Sequence, residues 1–288
     1  MVSFVVISKD EPLLDRTLTA LAGELAVVDQ PSEVEVVDAS QGRLEATRGS
    51  HPEVRWIDFN PPDGVAVSIP HQRNAGVREA SGEVIVFTDS GCQPQAGWAR
   101  ALLAPILAGQ ESATAGRTVG SGSIDMYDAL GATPPRYVDV APTINLAFTR
   151  AAFDAVGGFD ESFAYGSDVD FSWRLRDHGY RIRTVPGAVV SADWGSGQRQ
   201  LRRAWSYGRA RARLYAKHRH RVAAAVRTDP VPFAYGLFLL ALPCAWRFRA
   251  YPLLLVVPAL RNRRTGPVLT VADHLLVGAG FLRGLVDR

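Results

Sequence analysis

The run Val84-Ile85-Val86-Phe87 constrains this chain more than any other stretch. It is too short and too β-branched to be a helix of its own, so it reads as a strand covered on both faces. Asp89, Ser90 and Gly91 follow at its carboxyl end. Open α/β sheets hold their ligands there, and a carboxylate in that place can hold a divalent cation against a diphosphate. Asp-Ser-Gly is also good turn chemistry, and taken alone an ordinary strand-to-loop turn explains it equally well. Short apolar runs recur at 3–8, 34–37 and 55–59. Between them lie helical patterns, with Leu13, Leu14, Leu18, Leu21 and Leu25 near helical spacing over 11–25, and a further helix at 72–79. The alternation predicts an α/β fold with a mixed, mostly parallel sheet, right-handed crossovers and helices on both faces.

Further along, a helix is expected at 98–107, then a long Gly, Ser, Thr and Pro-rich stretch at 114–139, which reads as a functional or disordered loop. A helix at 171–178, short strands at 181–185 and 188–191 and a long basic helix at 200–220 follow. The only cysteines are Cys92 and Cys244, so no disulfide framework is available and a reducing compartment is expected. The first apolar run meets Lys9, Asp10 and Glu11 at once, which suits a first strand and not a secretory signal.

The net charge of +3 hides an asymmetry. Residues 199–264 carry 15 Lys or Arg against one acid, Asp229, while the rest of the chain carries 17 bases against 28 acids. Such a split suggests an extended anionic partner, a membrane surface or a polyphosphate first and nucleic acid third. Apolar blocks at 233–246 and 251–260 are separated by Arg247 and Arg249, and a third at 268–286 is broken by Asp273, His274 and Arg283. None reaches about 20 uninterrupted residues, so they suit interfacial helices or a shallow hairpin, with an ordinary packed helical subdomain as the alternative. The expected division is a catalytic domain at 1–228 and a basic, apolar, membrane-associating helical region at 229–288.

Four segments, in this order, resemble the family 2 glycosyltransferases: SFVVISKDEP, VEVVDAS, the run from RNAG to TDSG, and NLAFTRAAFDAVGGFDESFAYGSDVDFSWRLRDHGYRI. Together they cover roughly the first two thirds of the chain, and the last is the most specific. The resemblance implies the GT-A fold and transfer of a sugar, with inversion, from a nucleotide diphosphate to an acceptor hydroxyl. UDP is the family's commonest nucleotide, with GDP and dTDP open. Implied donor contacts are Ser8 and Glu11 in Ser-Lys-Asp-Glu, Asp38, Arg73, Asn74, Asp89 and Ser90. Glu11 also reads as an acid in a first helical turn, favoured by the dipole. Arg73 and Asn74 read, from the residues alone, as donors at a helix start facing ligand oxygens, or as a plain surface helix start. His71 reads as a loop residue.

The family's Asp-x-Asp appears here as Asp89-Ser90-Gly91, so one carboxylate is missing. Asp193 is positioned to restore its charge, with Asp89 and Asp193 sharing Mg2+ or Mn2+. The competing reading is weak or absent metal, with arginines neutralising the leaving group. The family's Glu-Asp pair appears as Ser167-Asp168. Asp168 is the implied base, its pKa raised less than usual without the glutamate, and Asp170 is the rival that more simply orients a helix. Asn145, Trp194, Arg203 and Trp205 belong to the acceptor or diphosphate side. Arg203 and Trp205 lie in a loose match to Gln-x-x-Arg-Trp that an amphipathic basic helix explains equally well.

A glycan or lipid-linked acceptor at the inner face of the cell membrane, with peripheral membrane contact, completes the reading. A catalytically weak nucleotide-sugar-binding protein of the same fold is the alternative. Ser-Lys-Asp-Glu-Pro after the first strand lacks Gly-x-Gly-x-x-Gly, which disfavours a dinucleotide oxidoreductase. No segment resembles a nucleic-acid reading module, so nucleic acid is not an expected partner.

Overall fold

The computed structural model describes residues 1–121, 130, 134–193, 197–243, 247–248, 250–255 and 266–287. The chain divides into two compact units, Met1–Ser121 with Met126–Asp193, and Gly122–Asp125 with Trp194–Arg288. The expected boundary after residue 228 falls inside the second unit.

The first unit runs β1 (Val2–Ser8), α1 (Leu14–Leu25), β2 (Ser32–Asp38), α2 (Glu45–Ser50), β3 (Arg55–Asp58), α3 (Ile69–Glu79), β4 (Val84–Asp89), β5 (Gln93–Pro94), α4 (Trp98–Leu107), β6 (Ala113–Ser121), β7 (Tyr137–Val138), β8 (Asn145–Thr149), α5 (Arg150–Ala155), α6 (Ser167–Asp177) and β9 (Ile182–Asp193). Among the described residues the sheet has nine strands in the order β3-β2-β1-β4-β8-β6-β9-β5, with β7 beside β9. β3, β2, β1 and β4 are mutually parallel; β8 runs against β4 and β6, and β9 is again parallel to β6. The mostly parallel sheet expected from the alternation is therefore present, with β5, β7 and β8 reversed.

Period-two alternation sends each strand's residues to two covered faces. One face buries Val5, Ile7 and Phe87 with Ala75 and Val77 of α3 and Phe171 and Leu175 of α6. The other sets Phe4 against Trp98 of α4, ring centroids 5.9 Å apart. Phe148, Phe153, Phe159 and Phe171 form a continuous ring cluster, with Phe159 and Phe171 centroids only 4.4 Å apart. This cluster is the reason the 145–182 segment lies where it does: each buried aromatic contributes about 1.5–3 kcal/mol of transfer free energy.

Several expected boundaries move. α3 begins at Ile69, which places His71 inside the helix and not in a loop. α6 begins at Ser167, so Asp168 stands in its first turn. The two short strands expected near 181–191 are one twelve-residue strand, β9. Its register against β6 shifts between Gly116 and Arg117, so Pro186, Gly187 and Ala188 fall outside the pairing without ending the strand. Much of the expected loop at 114–139 is strand, since β6 runs to Ser121 with Ala113 and Ala115 fully buried.

The second unit holds α7 (Gly197–Lys217), α8 (Val222–Thr228), α9 (Val231–Leu240) and α10 (Pro267–Val286). α7 and α10 touch backbone to backbone. A Cβ on Gly280 would run into the Trp205 carbonyl, and one on Gly208 into the Val277 carbonyl. Tyr215, Phe233 and Phe281 close the interior, and Asp229 takes both the Arg211 guanidinium at 2.6 Å and the Tyr215 hydroxyl at 2.7 Å. α10 corrects one expectation. The helix continues unbroken through Asp273, His274 and Arg283, and its 20 residues are long and apolar enough, by length and composition, to cross a membrane. Its polar interruptions are accommodated: Asp273 accepts from the Gln200 amide at 2.8 Å, and Arg283 pairs with Asp287.

Candidate active site

The carboxyl edge of the parallel strands gathers most of the expected residues. Ser8 pairs in register with Asp38 and Ile7 with Asp89, so Asp38 and Asp89 end strands on either side of β1, about 10 Å apart at two strand spacings. Asp38 is buried and its Oδ1 accepts from the Ser40 amide at 2.9 Å, fixing the strand end. Ser8 is buried with its Oγ bound to no described residue.

Arg73 is the hub. It is buried, lies over the Phe159 ring at 5.6 Å, and its Nη1 donates to Ser167 Oγ at 3.4 Å while Nη2 reaches Asp89 Oδ1 at 3.5 Å. Its Nε is buried with no partner among the described residues. A desolvated guanidinium with spare donor capacity, between the end of β4 and the start of α6, is set up for an anion.

Asp168 lies half-buried beside it, with Oδ1 accepting from the Val169 amide at 2.9 Å. Burial pushes its carboxyl above the ordinary carboxylate range, the Arg73 charge pulls it down, and Asp89 pushes it up. Asp170 is fully buried and its Oδ2 binds Arg174 Nε at 2.8 Å, one helical turn on. The pair links the first turn of α6 to the next.

Asn74 has its amide committed to protein. Nδ2 donates to the Phe159 carbonyl and to Glu161 Oε1, and Oδ1 accepts from the Phe159 amide, each at 2.9 Å. Thus α3 clamps the loop that leads into α6. Asn145 opens β8 opposite Thr88, one residue before Asp89, but its side chain is committed to protein. It is fully buried, donating to the Arg117 and Ala188 carbonyls and accepting from Trp98 Nε1, which ties β6 and β9 to α4.

Asp193 ends β9 and is exposed. Ser191 pairs antiparallel with Gln93, which follows the turn that carries Asp89, and Asp193 lies two residues beyond Ser191. That turn is held from α1. Gly91, at φ +87°, donates its amide to the buried Thr17 Oγ1 at 2.9 Å, and the Glu11 carboxyl lies over it. Ser90 is half-buried in the same turn. Separated carboxylates around a turn, with phosphate and water to complete the shell, suit a hard oxygen-seeking cation.

Of the remaining expected residues, Trp194 lies outside the described residues. Arg203 and Trp205 belong to α7 of the second unit, where Arg203 is half-buried and Trp205 exposed. Two supports escaped sequence reasoning. Thr17 is one, and Glu24 is the other: its two oxygens accept from the Gly97 and Ala99 amides and cap α4 from α1. Nothing in the local pattern distinguishes either from a helix residue.

A family model described as glycosyl transferase family group 2 matches residues 123–280, more than half of the chain. The pre-mycofactocin glycosyltransferase of Mycobacterium tuberculosis is 28% identical over 231 residues, covering 74% of this chain and 47% of that protein. The validoxylamine A glucosyltransferase of Streptomyces hygroscopicus subsp. limoneus is 26% identical over 228 residues, covering 64% and 48%. The chain spans about half the length of these curated relatives. Among solved structures, the mannosyltransferase from Pyrobaculum calidifontis in complex with GDP-Man and Mn2+ is similar at TM-score 0.70 and 21% identity, covering 100% of this chain and 87% of that one. The fold is GT-A, and the chain belongs to glycosyl transferase family group 2.

Proposed function

We propose that this chain transfers a sugar from a nucleotide diphosphate to an acceptor hydroxyl with inversion, Asp168 serving as the base. The observation that carries the reading is the Arg73 bridge, which joins the Asp89 end of β4 to the Ser167-Asp168 start of α6. Donor and acceptor chemistry need those two places side by side. Asp38 and Ser8 take the nucleoside end, Ser90 and Arg73 the diphosphate end, and Asp89 with Asp193 a divalent cation that neutralises the leaving group. One base suffices, because a hydroxyl that displaces the nucleotide directly inverts the anomeric centre in a single step.

Burial raises the Asp168 carboxyl and with it its basicity toward the hydroxyl proton, while the Arg73 charge acts the other way. The Mn2+ and GDP-Man bound to the Pyrobaculum neighbour support both the cation and the class of donor. Which nucleotide is used, UDP or GDP or dTDP, follows from a thermal-shift screen of nucleotide sugars, since a ligand of the folded state raises its stability. Release of nucleoside diphosphate from the sugar that binds tests transfer itself. A chain stabilised by no nucleotide sugar would sink the reading.

The acceptor is a lipid-linked or cell-envelope glycan presented at the cytoplasmic membrane face. Support comes from 229–288. Leu237, Leu240, Phe248, Leu253 and Leu254 are all more than half exposed, and Tyr251 stacks on Phe238 at 4.8 Å. The flanking sequence is rich in arginine, which suits an anionic leaflet.

A further inference from the structure

We infer that Glu11 supplies the second carboxylate of the cation site, in place of the side chain that Gly91 lacks. The inference rests on the proposed use of a divalent cation and adds a ligand to it. A Cβ built on Gly91 would stand 3.3 Å from Glu11 Cδ and 3.4 Å from Glu11 Oε1. The volume where a side chain at 91 would begin therefore lies against the Glu11 carboxyl, which comes from a different element.

Its position is built, not incidental. Thr17, one turn into α1, accepts the Gly91 amide at 2.9 Å and is itself fully buried, so the start of α1 is locked to the turn after β4. Glu11 precedes that helix, and its Oε1 accepts from the Leu13 amide at 3.1 Å, which fixes the carboxyl over the turn. Oε2 is bound to no described residue. Asp89, one strand end away, uses only Oδ1, toward Arg73. Two carboxylates thus each keep an oxygen for a cation at one turn. At φ +87° an L side chain at position 91 is strained whatever the space, so glycine suits the turn and the carboxylate comes from another element. What fills the place is Glu11.

The exchange predicts a rescue. Full-length chain is titrated with Mn2+, alone and with UDP or GDP, and free Mn2+ is read by electron paramagnetic resonance. Nucleotide affinity is measured separately in excess chelator. Glu11→Gln keeps the acceptor for the Leu13 amide and removes the charge. It is expected to weaken Mn2+ about tenfold or more, since even outer partners of metal ligands are worth 10–100-fold. Nucleotide affinity in chelator should stay within about twofold, because the residue acts on the cation. Glu11→Ala alone should lose Mn2+ similarly, and Glu11→Ala with Gly91→Asp should recover part of it, the strain at φ +87° limiting the rescue. Mn2+ affinity in Glu11→Gln equal to wild type overturns the assignment while leaving the cation reading standing. Loss of nucleotide affinity in chelator makes Glu11 a nucleotide contact and also overturns it. A wild-type chain that holds no Mn2+ with either nucleotide overturns both.

Discussion

Asn74→Ala separates a structural clamp from a donor contact. The substitution removes three hydrogen bonds and leaves the amide and carbonyl of Phe159, a residue only 2% exposed, without their partners. Each buried unsatisfied group costs about 1–3 kcal/mol, so the loss is roughly 2–6 kcal/mol. For a unit of this size about 2–4 °C accompanies each kcal/mol, which predicts a melting temperature at least about 4 °C lower. The loop from Gly157 to Glu161 leads into α6, so its loosening displaces Asp168 and lowers turnover. Donor affinity of the remaining folded chain should change little. Differential scanning calorimetry and nucleotide titration on the same preparation decide it. An unchanged melting temperature with donor affinity about tenfold weaker would refute the clamp and make Asn74 a donor ligand.

Asp168→Asn should lower turnover roughly 100-fold or more while leaving donor affinity nearly intact, because a base acts in the transition state. Retained turnover would move the role elsewhere. Glu35, fully buried and paired with Arg55 at 2.8 Å, is pushed up to about 7 from 4.5, chiefly by burial and then by Glu33. The folded chain therefore binds this proton more tightly than the unfolded chain, and stability should fall as pH rises between about 4.5 and 7. Glu35→Gln should flatten that segment of a melting-temperature profile by up to roughly 3 kcal/mol, and an unchanged slope would contradict the assignment. Cosedimentation with anionic vesicles should weaken with salt but persist, since apolar contact is not screened; no binding at low salt would leave 229–288 a packed subdomain.

The parallel half of the sheet was legible because its strands are short apolar runs with turn chemistry at each end, as at Val84–Asp89. β6 was not, because Ala, Gly, Thr and Ser carry little apolar signal, and only pairing with β8 and β9 makes them a strand. At the site, Asp38, Asp89 and Asp168 could be found from their places at element ends, whereas Arg73 and Asn74, expected at a helix start, stand in the second turn of α3. The surroundings of Asn145 and Glu11 could not. A buried amide that ties three elements looks, in sequence, like one that faces a ligand, and the juxtaposition of Glu11 with Gly91 joins residues 80 apart. The unbroken α10 was missed for a related reason: Asp273 and Arg283 find partners that a linear reading cannot see.

Cys92 follows the Asp89–Gly91 turn directly, almost fully buried, and burial with the nearby charge of Asp89 pushes its thiol well above the ordinary range. An alkylating reagent needs an accessible thiolate, so the closed state is silent and reaction proceeds only through brief openings of the turn. The chain thus carries a clock at its own candidate active site. In a Cys244→Ser background, the labelling rate at Cys92 counts those openings, and a ligand that seals the turn slows the count in proportion to its hold on the closed form.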